Sequence, residues 1–217
     1  MTDIQLIAAT AEYVKSELRG AEGGHDWWHI ERVWKTAKTI AQAENADALV
    51  VELAALLHDI ADSKFHGGDE ELGPRKAREF LGQLPVSQSV ADHVVQIVRN
   101  ISFKGGNVTS AFHSPELAVV QDADRLDALG AIGIARAFNY GGFKNRELYN
   151  PTVPPDSHMT KDQYKASTAP TINHFHEKLL LLKDRMNTET GKNLAAERHR
   201  FMEMFLAQFY AEWEGSR

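Results

Sequence analysis

His58 and Asp59 stand together in the run Leu53-Ala-Ala-Leu-Leu-His-Asp-Ile-Ala-Asp62, which is otherwise apolar up to its last residue. Burying a lone carboxylate costs several kcal/mol or drives its pKa upward, so such a group is normally paired, hydrogen-bonded or metal-bound. Two further clusters accompany the doublet. In Gly24-His-Asp-Trp-Trp-His-Ile-Glu-Arg-Val33, His25 and His29 are four residues apart and share a face if the segment is helical. His29 is in register with Val33 and Ala37, which turns its ring toward the core, whereas Gly23-Gly24 leaves His25 at the helix entrance. In Val119-Val-Gln-Asp-Ala-Asp-Arg-Leu-Asp-Ala-Leu129, aspartates at 122, 124 and 127 interrupt an apolar helix and repel one another unless cations offset them. Arg125 can offset one of them, and a metal ion is the natural partner for another.

The composition narrows what such a site could hold. The 217 residues include ten histidines and no cysteine, so thiolate sites, disulfides and cysteine nucleophiles are excluded. His, Asp and Glu are the remaining strong ligands, and they suit hard or borderline divalent ions: Mn, Mg, Co, Ni, Fe or Zn. A formal charge of -6 argues against non-specific nucleic-acid binding, but a small anionic substrate stays open because a metal can reverse the local field. No run approaches the roughly 18 apolar residues of a membrane span. The start, Met1-Thr-Asp-Ile, lacks the pattern of a secretory signal, so a cytoplasmic protein is the expectation.

Helices must carry these clusters. Apolar residues recur at helical spacing over 3–19, 27–44 and 48–62, the last with a face wide enough for a buried central helix. Further helices are predicted near 75–82, from Pro85 to about Asn100, and from Pro115 toward Phe138. The stretch 139–170, with Gly141-Gly142, Pro151, Pro154-Pro155 and Pro170, reads as a lid-like irregular segment. Amphipathic helices are predicted over 171–186 and 193–212. The aromatic stripe Phe201, Met204, Phe205, Phe209 and Trp213 either packs on the core or forms a homodimer interface. No strand-period run or internal repeat is visible. The expected fold class is all-α, a single domain over 1–217.

His29, the His58-Asp59 doublet and a later aspartate resemble the H…HD…D signature of the HD-domain metal-dependent phosphohydrolases. The resemblance covers about residues 20–140 and extends to a bacterial subgroup through Gly-His-Asp-Trp-x-His-x-x-Arg-Val, Ile-Ser-Phe-Lys-Gly-Gly and Gln-Asp-Ala-Asp-Arg-Leu-Asp-Ala. It implies an HD-type helical bundle with one divalent cation held by His29, His58, Asp59 and Asp124. The match of Ala123-Asp-Arg-Leu126 to the family's last motif favours Asp124 over Asp122, which would then support the site from behind. Binuclear members add histidines, often a His-His pair where this chain reads Ile97-Val-Arg-Asn-Ile-Ser102. That departure points to a single metal and away from di-iron chemistry.

Two imidazoles and two carboxylates leave positions on a six-coordinate ion for water and for a phosphate oxygen, which is the arrangement of metal-assisted hydrolysis. Asp62 or His25 could orient or deprotonate the water. Positive charge for the phosphoryl oxygens could come from Lys64, from Lys104 beside Gly105-Gly106, and from Arg125, with Tyr149, Arg146 and Lys165 reaching from the lid. His174 and His176 read better as part of an amphipathic surface helix, and Trp27 and Trp28 as core residues rather than base-stacking platforms. The resemblance implies a nucleotide or related phosphate ester, a nucleoside triphosphate among them, as substrate. The alternative is a metal-binding module that senses a nucleotide without turnover.

Overall fold

The computed structural model describes residues 1–20, 26–61, 69–101, 112–160, 163 and 166–216. Among them there is no strand, as the all-α expectation requires, and no helix long and apolar enough to cross a membrane. The chain forms two compact units, Met1–Asp124 and Arg125–Arg217, whose division falls within a helix.

In the first unit, α3 (Ala48–Leu57) is the central element. Its sequence ALVVELAALL buries Val50, Val51 and everything from Leu53 to Leu57. It packs on α1 (Asp3–Glu17), α2 (Trp27–Glu44) and α5 (Gln88–Asn100), while α4 (Leu72–Leu81) packs on α5. Its one acidic residue, Glu52, accepts from Trp34 Nε1 at 2.8 Å and lies 3.5 Å from Lys38 Nζ, so the helix keeps a satisfied polar point. On α2 the buried set His29, Ile30, Val33, Ala37, Ile40 and Ala41 follows the helical period, which is why the ring of His29 turns inward. Polar side chains at Thr2, Asp26, Asp47 and Ser87 cap helix N-termini, each accepting from an amide three residues on.

Two expected boundaries shift. The helix predicted to run to Asp62 ends at Leu57, with His58 as its C-cap and a turn following. The Ala55 carbonyl, which a continuing helix would pair with residue 59, instead lies 2.7 Å from His58 Nδ1. The helix predicted from Pro115 toward Phe138 divides into α6 (Pro115–Asp127) and α7 (Gly130–Phe143). The amides of Ala128 and Leu129 bond back three residues, to Arg125 and Leu126, and Gly130 then adopts φ +70°, a conformation a β-carbon would strain.

In the second unit, α9 (Glu189–Trp213) packs on α7 and on a 3-10 turn, Leu179–Arg185. The short α8 (Thr171–Glu177) joins them, so the single helix expected over 171–186 is an α turn followed by a 3-10 turn. The region expected to be irregular begins after Phe143 and is tied down by specific bonds. Glu147 and Leu148 carbonyls accept from the first amides of α8 at 2.9 and 3.0 Å, and Arg146 Nη2 reaches the Ser167 carbonyl at 2.7 Å. The aromatic stripe of α9 divides: Phe205 packs with Phe138 and Phe175, whereas Phe201, Met204 and Trp213 keep about half of their surface or more.

His174, expected on a surface helix, is half-buried in this unit. Burial first, then the positive charges of Lys178 and Arg146, hold its imidazole down to about 3. The unfolded imidazole takes up a proton near its ordinary value of 6.5, so between these two values the unfolded chain binds more protons. Stability contributed by neutral His174 is therefore complete above that ordinary value and is lost as pH falls toward about 3. A His174→Gln variant should show a flatter pH dependence of its urea midpoint across this window than the wild type.

Candidate metal centre

Three helices deliver the ligand-type side chains. His29 sits in the first turn of α2, where its own backbone amide donates to Asp26 Oδ1 at 2.9 Å. That bond is the N-cap of the helix, so the residue that starts α2 also fixes the turn carrying the imidazole. His58 and Asp59 follow the end of α3, and Asp124 lies near the end of α6.

Their ligand atoms converge. His29 Nε2 and His58 Nε2 are 3.3 Å apart. Asp124 Oδ1 lies 3.6 Å from the first and 3.9 Å from the second. Ligand atoms of His29, His58 and Asp59 all fall within 4.8 Å of one another. Donors held roughly 2.1 Å from one octahedral cation stand about 3 Å apart when adjacent and about 4 Å apart when opposite. The separations of 3.3, 3.6 and 3.9 Å fall within that range, so the residues present fit a single divalent ion. Both imidazoles are buried, Asp59 is half-buried and the Asp124 side chain is 41% exposed, which leaves an open side.

The tautomer of His58 follows from its neighbour. A carbonyl oxygen only accepts, so Nδ1 carries the proton donated to Ala55 and Nε2 of the neutral ring presents a lone pair to the cluster. His29 Nε2 can donate a proton toward that lone pair, and a shared cation would take the place of that proton. Two carboxylates beside two such rings are a donor set suited to a hard or borderline divalent ion.

The remaining expected residues distribute differently. His25, Asp62, Lys64, Lys104 and Lys165 lie outside the described residues. Asp122 is fully buried, with Val119, Val120 and Ala123 as buried neighbours in sequence. Arg125 Nη1 donates to the Arg185 carbonyl at 2.6 Å. Tyr149 meets Trp213, Tyr210 and Phe209 edge-on at centroid distances of 5.0, 5.4 and 5.9 Å, an aromatic cluster of the second unit. Trp28, expected in the core, is 62% exposed. Sequence reasoning passed over Asp26 as a functional support, although an Asp just before an apolar-periodic run is itself a helix-start signal.

Removing the Asp26 cap should loosen the turn that carries His29. Asp26→Ala should cost about 1 kcal/mol of stability in urea unfolding. It should also weaken Mn²⁺ binding by about tenfold in calorimetric titration. Asp26→Asn, whose amide oxygen caps equally well, should keep both. Unchanged Mn²⁺ affinity in the alanine variant would show that the cap serves stability alone.

Comparison with known proteins agrees with this geometry. The family model described as the HD domain matches residues 27–129, a span that contains His29, His58, Asp59 and Asp124. Protein YpgQ of Bacillus subtilis is 38% identical over 216 residues, covering 99% of this chain and 97% of that protein. A crystal structure of an HD-superfamily hydrolase from Bacillus thuringiensis superposes with a TM-score of 0.80 at 44% identity, covering 98% of this chain and 99% of that one. The crystal structure of Bacillus subtilis YpgQ in complex with ADP superposes with a TM-score of 0.78 at 37% identity, covering 98% and 97%. With near-complete coverage by relatives of this identity, and with the doublet and its partners inside the matched span, this chain belongs to the HD-domain family.

Proposed function

We propose that this chain is a metal-dependent phosphohydrolase acting on a nucleotide or a related phosphate ester, nucleoside triphosphates among them. The observation that carries the proposal is the convergence of His29, His58, Asp59 and Asp124 into a group with the spacing of one cation's ligands. A divalent ion bound there would lower the pKa of a coordinated water and polarise a phosphoryl oxygen. The half-exposed Asp59 and Asp124 leave an approach for substrate, while the buried imidazoles hold the inner side.

The chain's own residues supply the rest. The Ala55 carbonyl orients His58, and the Asp26 cap orients the turn of His29. Asp62 or His25 orients the attacking water, since each lies within four residues of a proposed ligand in sequence. Lys64, Lys104 and Lys165 supply positive charge for phosphate oxygens. Arg125, next to Asp124 in sequence, and Tyr149 are proposed as further contacts to substrate. The ADP complex of Bacillus subtilis YpgQ supports a nucleotide as ligand here.

The test is to strip the protein of metal and restore Mn²⁺, Mg²⁺, Co²⁺ or Ni²⁺ separately. Each form is then incubated with nucleoside mono-, di- and triphosphates and generic phosphodiesters. Release of a phosphate product only with metal, and a fall of at least about a hundredfold in Asp59→Ala, is the expected outcome. One bound metal per chain without turnover of any compound would overturn hydrolysis in favour of a nucleotide-sensing module.

A further inference from the structure

The last carbonyls of an α-helix have no amide partner within the helix and must find one elsewhere. At the end of α5 a side chain of α6 supplies it. Gln121 Nε2 donates to the Asn100 carbonyl at 3.2 Å and to the Ile101 carbonyl at 3.4 Å. Asn100 closes α5 and Ile101 is its C-cap. The Asn100 side chain turns back on its own helix, donating from Nδ2 to the Gln96 carbonyl at 2.8 Å. Gln121, both carbonyls and Asp124 all belong to the first unit.

The start of α6 is fastened by other polar contacts. Glu116 Oε1 accepts from the Asp47 amide at 3.1 Å, which joins α6 to the start of α3. Ser114 Oγ accepts from the Leu117 amide at 3.1 Å and lies 2.9 Å from His93 Nε2 of α5. Further along, Val119, Val120 and Ala123 add apolar burial, which is non-directional. Gln121 adds direction there. It stands three residues before Asp124, so the two share a side of α6 about one turn apart. Its anchor is also the right frame, because α5 packs on α3, the helix that ends in His58.

Direction matters at Asp124 because that side chain is 41% exposed, so packing does little to define it and its aim follows the helix. A rotation of α6 by roughly 20° would move a Cα on its ~2.3 Å cylinder by about 0.8 Å. Metal–ligand distances tolerate only about 0.2 Å. An amide held on two carbonyls of a neighbouring helix opposes such a rotation, since N–H···O bonds weaken steeply when bent.

We infer that Gln121 is a positioning residue: by hydrogen-bonding the end of α5 it fixes the rotation of α6 one turn before Asp124 and so aims that carboxylate toward His29 and His58. The inference rests on the reading of Asp124 as a metal ligand. It assigns Gln121 no contact with metal or substrate.

Mn²⁺ affinity of the full-length protein tests it, read by calorimetry or by the electron paramagnetic resonance signal of free Mn²⁺. Gln121→Met keeps the length of the side chain and removes the donor, and should weaken Mn²⁺ binding by about tenfold. Gln121→Lys, which can still donate to a carbonyl, should recover part of that loss. It also carries the test if the methionine variant does not fold. Leu81→Ala, a buried truncation on α4, should lower the melting temperature while keeping Mn²⁺ affinity. Wild-type affinity in the Gln121 variants, or an equal loss in Leu81→Ala, would overturn the positioning role and leave the metal centre standing. A wild-type protein that binds no Mn²⁺, with no difference from His58→Ala, would overturn the metal reading and this inference together.

Discussion

Ligand-type groups crowded at the end of a buried helix impose a constraint that organises the first unit. Two imidazole nitrogens 3.3 Å apart and a carboxylate oxygen 3.6 Å from one of them lie close enough that charge and proton placement must be settled together. One proton is already committed, because His58 Nδ1 faces a carbonyl that only accepts. The lone pair on its other nitrogen is thereby presented to the cluster. Two acids nearby, Asp59 and Asp124, favour a cation over a second proton. The elements around the site can be understood as means of bringing these four side chains to one point.

Each means is ordinary helix chemistry placed beside a ligand. Asp26 caps α2 on the amide of His29 itself. The end of α3 gives its Ala55 carbonyl to the ring that follows, so the same bond terminates the helix and fixes a tautomer. The largely apolar α3 lets the doublet emerge from the centre of the unit, against α1, α2 and α5. The same few bonds therefore serve both the fold and the placement of the ligand-type side chains.

The second unit applies the same chemistry to a different end. There the chain turns sharply at Gly130, where the stem of Arg198 lies against that glycine and its guanidinium donates to the Leu126 carbonyl. The segment after Phe143 has little regular structure, yet the 147 and 148 carbonyls complete the start of α8 and Tyr149 locks into the aromatic end of α9. Proline and glycine content marks where helices stop. It does not reveal whether the chain beyond is anchored, and here the anchoring comes from backbone bonds and ring packing with partners distant in sequence.

Much of this was legible in the residues themselves. The helical period on α2 pointed the ring of His29 inward, and the apolar run before His58-Asp59 required a partner for both. Helix type and order followed from periodicity, because amphipathic stripes are a local property of the chain. Four things were not legible in that period. The halt of α3 at Leu57 depends on a side chain reaching back to a carbonyl, and the break between α6 and α7 hides under an unbroken apolar spacing of Leu126, Leu129 and Ile132. The burial of His174 and the pairing of Leu126 with Arg198, 72 residues away, exist only once the helices have packed. Sequence alone determined which residues could bind a cation and which helices would carry them, since residue type and period are written along the chain. Tertiary structure alone decided how closely those groups meet and which arginine holds the helix end, because distance and desolvation arise only when separate segments share one space.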